Sequence, residues 1–459
     1  MIERRAAAIV VYTGAINAAL ANNVVNVAFP VFADEFQTSP AVVVWIAIAY
    51  TLTNSSLATT FGRLSDMRGR RSLYALGLGI FLVGSLLCAT SGSIQQLIGF
   101  RILQGVGSAM VNANSMAYLI EIYPPNRRGA IVGLWEACIG AGIAVGPIIG
   151  GGLLSAFGWR SVFFVSVPLA IVILLLIPRY MFEPVRQRRQ QHFDVAGAAL
   201  FAGGVSTLLY ALSESYAFGW GSPVILGCLA VSVACGAGFI RTELRTRQPM
   251  VDLNMFRNWT FSAGNLAKVF AYLPFSASTF MLPFYLEQAL GFTPATVGLS
   301  LTPLPVGMVA ASLVFGPLSD RIGARRLAPA GAALQGLAAL AFTQVRPEQG
   351  LGPLLLIAMF LSGVGMGAFI APNDSSILSV TPAERLGVAN GIMGISRQFG
   401  LVLGYSVAAG LLAARLQVNA GDFGASFREV YAVISAVAFV AVFLAAARQR
   451  RPAPALAAA

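Results

Sequence analysis

A short polar stretch, Gly62 to Arg71, reads GRLSDMRGRR and returns 254 positions on as Gly316 to Arg326, GPLSDRIGARR. Both copies share the skeleton Gly-x-Leu-Ser-Asp-x-x-Gly followed by paired arginines, and both stand between long apolar runs. Each copy is too short and too polar to cross a bilayer, so each reads as a tight turn between two membrane helices. Glycine permits the reversal of the backbone. Asp66 and Asp320 can accept from exposed N–H groups at a helix start, and Arg70, Arg71, Arg325 and Arg326 can pair with acids or with carbonyl ends. A chain that uses one such turn twice is built from two copies of one helical bundle, which is the plan of a secondary transporter.

The apolar runs decide the solvent. Hydrophobic residues make up 57% of the 459 and charged residues 10%, against roughly 25% in an average soluble domain. Fourteen runs are long enough to span, from 7–33 to 429–447, with two of them, 195–213 and 222–240, in the middle of the chain. An even number puts both termini on one side. With that side taken as the interior, 23 of the 30 basic residues fall in inner segments and 4 in outer ones, so both termini are cytoplasmic and the chain is a multi-pass protein of the cell inner (plasma) membrane. The basic residues sit in short blocks without interleaved aromatics, so the net charge of +12 is no nucleic-acid signal. Cys88, Cys138, Cys228 and Cys235 lie inside apolar runs at no metal spacing and read as packing residues. Met1 to Arg5 leads into an apolar stretch without a small-residue cleavage site, so the first span is expected to be retained.

A second match supports the duplication. Under a shift of 258, Gly105, Gly107, Gly129, Gly133, Gly142 and Gly146 fall on Gly363, Gly365, Gly387, Gly391, Gly400 and Gly404. The polar connectors Glu183 to Asp194 and Arg241 to Asp252 flank the two middle spans. The expected organisation is a six-helix bundle over 1–181, a linker with two inserted helices over 182–257, and a second six-helix bundle over 258–459. In the fifth span Gly142, Gly146 and Gly150 lie four apart on one face, and Pro147 permits a bend. Such a stripe lets another helix approach closely; tight packing alone is one reading of it, and a sliding contact between the two bundles is the functional one.

These features resemble the major facilitator superfamily. The two turns are similar to its loop signature, and Leu97 to Ala109, LIGFRILQGVGSA, to its fourth-helix motif with a buried arginine, here Arg101. Gly142 to Gly151 resembles its antiporter motif. With FDVAG at 193–197, GWGSP at 219–223, VDLNMFR at 251–257 and NGIMGISRQFG at 390–400, the likeness extends to the fourteen-helix drug:proton antiporter family over nearly the whole chain. It implies an all-α membrane protein of the major facilitator fold, and proton-coupled efflux of lipophilic or amphipathic compounds by alternating access. Two positions depart from the pattern. The family's first-helix Asp, a proposed proton site, falls on Ala21 and its Thr on Asn23, and Met67 stands where a basic residue is usual.

With that acid gone, Glu136 is the main candidate for proton handling, about 10 Å into the fifth span at ~1.5 Å per residue. It would act with Arg397, which lies near the equivalent face of the second bundle, and Arg101 serves as ion-pair brace or relay partner. Glu121 and Asp374 are expected to pair with the arginine turns as part of the gate, and Lys268 to snorkel or pair. Asn22, Asn26, Tyr50, Asn54, Tyr272 and Phe275 are candidate substrate contacts, since a wide, mostly apolar pocket suits lipophilic ligands. No nucleophile–base or metal constellation is legible, and His192 stands alone in a linker, so no enzyme and no cofactor beyond the proton gradient is expected. The expected partners are a small lipophilic substrate and membrane lipids, for a monomeric chain. Extrusion of a lipid-like metabolite, an uncoupled facilitator and a non-transporting sensor or scaffold remain alternatives.

Overall fold

The computed structural model describes residues 2–123, 128–182, 195–219, 221–245, 253–322, 324–381 and 386–447. Fourteen helices of at least fifteen residues run through them. The first six are α1 (Ile2–Val27), α2 (Trp45–Arg68), α3 (Arg70–Ala89), α4 (Ile94–Ile122), α5 (Arg128–Phe157) and α6 (Ser166–Tyr180). The inserted pair is α7 (Val195–Phe218) and α8 (Pro223–Arg245). The last six are α9 (Trp259–Phe284), α10 (Pro303–Ile322), α11 (Ala324–Phe342), α12 (Pro353–Ser379), α13 (Leu386–Val418) and α14 (Phe423–Ala446). Among the described residues eleven stretches are long and apolar enough to cross a membrane, and the other three helices, α4, α7 and α11, have 29, 24 and 19 residues. Helices are what such a sequence must form, because lipid offers the backbone no hydrogen-bond partner.

The duplication in sequence is a duplication in packing. α1 packs on α5 as α9 packs on α13, and α2 packs on α4 as α10 packs on α12. The α3–α4 and α11–α12 pairs match as well. Glycines set the approach at equivalent places. A Cβ on Gly77 would stand 2.5 Å from the Met110 Cβ, and one on Gly331 would stand 2.6 Å from the Phe369 nitrogen. A Cβ on Gly105 would meet the Tyr50 carbonyl at 2.9 Å, and one on Gly363 would meet the Leu304 carbonyl still more closely. Between α2 and α3, Gly69 takes φ 104°, a left-handed value that L side chains rarely adopt.

The two ends of the molecule differ. At the end opposite the α2–α3 and α10–α11 turns, one apolar cluster runs through both bundles, from Val24, Phe29 and Phe32 to Phe280, Phe284 and Phe427. At the turn end the clusters are separate. One belongs to the first bundle (Val11, Tyr74, Tyr118, Ile173), and two smaller ones belong to the second (Phe261, Ile377, Ile392; and Ala271, Ala332, Phe369). Among the described residues the bundles are thus joined at the far end, while their turn-end apolar clusters are separate.

The inserted helix α7 lies against both α2 and α13, while α8 packs on α7. The indole of Trp45 at the start of α2 donates to Glu214 Oε1 at 3.0 Å, and its ring lies 5.7 Å from that of Tyr210.

Candidate functional site

At the turn end, Arg70 sits at the first position of α3 with its side chain buried. Its Nε and Nη2 donate to the two carboxylate oxygens of Glu121 at 2.7 and 2.8 Å, and its Nη1 to Ser65 Oγ at 3.2 Å. This fork geometry suits arginine and would be lost with lysine. Arg71 reaches across α3 to the Pro178 carbonyl at 3.0 Å. Arg325 and Arg326 begin α11 and are exposed. The side chains of Asp66 and Asp320 lie outside the described residues; of the residues expected at the gate, Arg70 and Glu121 are brought together here, with Ser65 beside them.

The glycine stripe does not lie between the bundles as expected. Gly142, Gly146 and Gly150 turn toward α1 of their own bundle, where added Cβ atoms would stand 2.7 Å from Ala19, 2.7 Å from Asn23 and 3.0 Å from the Val24 carbonyl. Its counterpart, Gly400 and Gly404 on α13, packs in the same way on Val269, Tyr272 and Leu273 of α9. Parallel neighbours inside a bundle take up the missing side chains. The contact between bundles is made by the next residues round the helix. A Cβ on Gly151 would stand 2.5 Å from the Pro294 carbonyl, and Gly298 lies directly against the Pro147 carbonyl. Ser155 Oγ accepts from the Ala295 amide at 2.9 Å, and Phe29 meets Phe280 with ring centroids 5.7 Å apart. These contacts seal the far end.

Beneath that seal lies a small, mostly apolar cavity between the bundles. Asn23, Asn26 and Val27 of α1, Ile143 and Pro147 of α5, Phe275, Thr279 and Leu282 of α9, and Leu301, Leu304 and Pro305 line it. Of the expected substrate contacts, Asn26 and Phe275 are there. Tyr272 is buried at the α9–α13 contact, with its ring edge-on to Phe275 at 6.4 Å. Asn22, Tyr50 and Asn54 are committed to a polar network inside the first bundle. Tyr50 Oη shares a hydrogen bond with Ser108 Oγ at 2.7 Å, Asn54 donates to the same oxygen at 2.9 Å, and Asn22 accepts from Arg101. Sequence reasoning missed Asn23 and Thr279 on the cavity wall. Asn23 was legible as the residue replacing the family's threonine; for Thr279, one hydroxyl among the polar residues of α9, there was no such signal.

Arg101 is fully buried. Its expected ion pair is not found among the described residues. Nε donates to the Ile46 carbonyl at 2.9 Å, Nη1 to Gln104 Oε1 at 2.6 Å and Nη2 to Asn22 Oδ1 at 3.3 Å, with the Tyr50 ring 4.2 Å below the guanidinium. All these partners are neutral. The network continues from Gln104 to Ser85 at 2.7 Å.

Asp374 was expected to meet an arginine turn. It is held instead by Lys268 of α9, whose Nζ lies 2.8 and 2.9 Å from the two carboxylate oxygens. Lys268 is buried, so it pairs rather than snorkels. Asn373 fastens the same spot, donating to the Gly264 carbonyl at 3.3 Å. The Glu136 side chain lies outside the described residues, and Arg397 is half-buried on α13. No cluster of metal-ligating residues occurs among the described residues.

Two pseudo-equivalent six-helix bundles, an inserted pair and a cavity at their seam form a transporter architecture. A model of the Major Facilitator Superfamily matches residues 11–244 and 265–459. The chain belongs to the major facilitator superfamily. Among its relatives, the "Riboflavin transporter RibZ" of Clostridioides difficile is 31% identical over 90% of this chain and 89% of that protein. The "Tetracenomycin C resistance and export protein" of Streptomyces glaucescens is 32% identical over 88% of this chain and 75% of its own length. A solved bacterial homolog of the human lysosomal transporter Spinster shares the fold, with TM-score 0.66 and 15% identity over 97% of this chain and 95% of its own. As a major facilitator transporter, the chain places its cavity where the two bundles meet.

Proposed function

We propose that this chain is a secondary transporter of the fourteen-helix drug:proton antiporter type, which exports lipophilic or amphipathic small molecules by alternating access. The observation that carries the reading is the difference between the ends. One apolar cluster ties the bundles together at the far end, the turn-end clusters are separate, and the cavity lies below the seal. The arginine distribution puts the turn end in the cytoplasm, so this state is closed to the outside and a ligand enters the cavity from within. The bundles 1–181 and 258–459 rock about the seam as a monomer, and 182–257 bridges them. Relatives named for the export of one compound and the transport of another support a small organic cargo.

A proton gradient supplies the energy, with Glu136 and Arg397 as the coupling pair. A glutamate beside an arginine stays ionised, while one left alone in apolar surroundings takes up a proton. Asp66 and Asp320 join Arg70 and Glu121 in holding the alternate, cytoplasm-closed state. Ala21 favours a second reading, an uncoupled facilitator, because the family's first-helix acid is absent. Extrusion of a panel of dyes and lipids from cells lacking their major pumps separates the readings. Uphill export that collapses with an uncoupler, and is lost in Glu136→Gln, supports the antiporter. Flux that only follows the gradient of the compound supports the facilitator, and absence of flux refutes both.

A further inference from the structure

Three cations are buried among the described residues: Arg70, Lys268 and Arg101. Arg70 has Glu121 and Lys268 has Asp374. Among the described residues Arg101 has hydrogen bonds but no counter-charge, since its contacts there are a carbonyl, two amides and an aromatic face. A hydrogen bond to a neutral group offsets desolvation in part and leaves the net charge in place. The residue before Asn22 is Ala21, 3% exposed, in the same apolar cluster as Tyr50, so the first helix supplies no acid there.

The charge of Arg101 reaches the seam between the bundles. The Arg101 Nη2 donates to Asn22 Oδ1 at 3.3 Å, and the next residue on α1, Asn23, lines the cavity, with Tyr405 of α13 on the same wall through Thr279. The Tyr405 hydroxyl lies 3.5 Å from Thr279 Oγ1, and Thr279 and Asn26 both line the cavity. The lining residues are apolar apart from Asn23, Asn26 and Thr279, and none is an acid. Asn26 Oδ1 is buried on this wall without a hydrogen-bond partner among the described residues, so it can accept from a ligand.

We propose that the cavity selects amphipathic organic anions and rejects lipophilic cations. The preferred ligand has an apolar ring body against Phe275 and the leucines, one carboxylate-like charge on the Arg101 side, and a neighbouring O–H or N–H for Asn26. A lipophilic cation would meet the like charge of Arg101 in a low-dielectric wall whose described lining residues include no acid to hold it. The inference names the substrate class of the site described above; it rests on the efflux reading for the direction of movement, and binding tests it separately.

The experiment measures binding of fluorescein and rhodamine 123, which share a three-ring xanthene body and carry opposite charge at pH 7.5, to the purified full-length protein. Fluorescein should bind at least about tenfold more tightly, the least that a unit charge within roughly 10 Å contributes at an effective dielectric of about 20. Arg101→Gln should weaken fluorescein and collapse the ratio, and Arg101→Lys should keep most of it. Ala21→Asp supplies the missing counter-charge with Arg101 in place and should also collapse the ratio; it keeps the test decisive if Arg101→Gln misfolds. Equal or tighter binding of rhodamine 123, no binding of either dye, or a ratio unmoved by the variants overturns the proposal. Selective binding of fluorescein without its movement across proteoliposome membranes would refute the efflux reading and leave the selectivity standing.

Discussion

Gly298 should be the residue whose substitution moves the transporter between states. It lies on the short helix Pro294–Ser300, against the Pro147 carbonyl and 3.1 Å, by the position of an added Cβ, from the Gly151 Cα. A methyl group there cannot fit while the far end is closed, and neither neighbour is a flexible side chain that could swing away. Overpacking of this kind costs about 1–3 kcal/mol. The cost falls on the closed state alone, because the contact joins two bundles that separate when the far end opens. The ratio of far-open to far-closed molecules should therefore rise roughly 5- to 150-fold in Gly298→Ala. Gly146→Ala is the control: its Cβ would stand 2.7 Å from Asn23 inside one bundle, so the strain is present in both states. The assay is the rate at which a membrane-impermeant maleimide, added outside, labels Thr279→Cys on the cavity wall in a background without native cysteines. Gly298→Ala should accelerate labelling, while Gly146→Ala should lower thermal stability with little change in rate. Unchanged labelling in Gly298→Ala, or equal acceleration in both, would refute the assignment of the seam.

Two further outcomes follow from the ion pairs. Glu121→Gln removes the forked carboxylate contact of the buried Arg70 guanidinium and should lower stability by about 1–3 kcal/mol, since a fifth of the Glu121 side chain is exposed; the drop in thermal unfolding midpoint in detergent checks it. Lys268→Met and Asp374→Leu should each destabilise by stranding the partner, and the double variant should recover most of the loss in a double-mutant cycle; additive losses would mean that the pair is not coupled.

The sequence by itself determined the solvent, the fourteen helices, the duplication and the superfamily. Apolar length marks a helix in lipid because no other open chain satisfies its backbone there, and the repeated turn and glycines sit at corresponding helix contacts. The substitution of Ala21 was also legible without any coordinates. The tertiary structure decided what each polar or small residue faces. Sequence spacing placed Gly142, Gly146 and Gly150 on one face, but not whether that face met α1 or the other bundle. It placed Asp374 inside a span, but not beside Lys268 rather than an arginine turn. It marked Arg101 as buried, but not as surrounded by neutral groups. The physical reason is that in a membrane the lipid is as apolar as the protein interior, so a helix carries no polar–apolar contrast to show which way it turns. Azimuth is settled only when the helices pack, and with it which charges find partners, where the cavity opens, and which glycine stands at the seam.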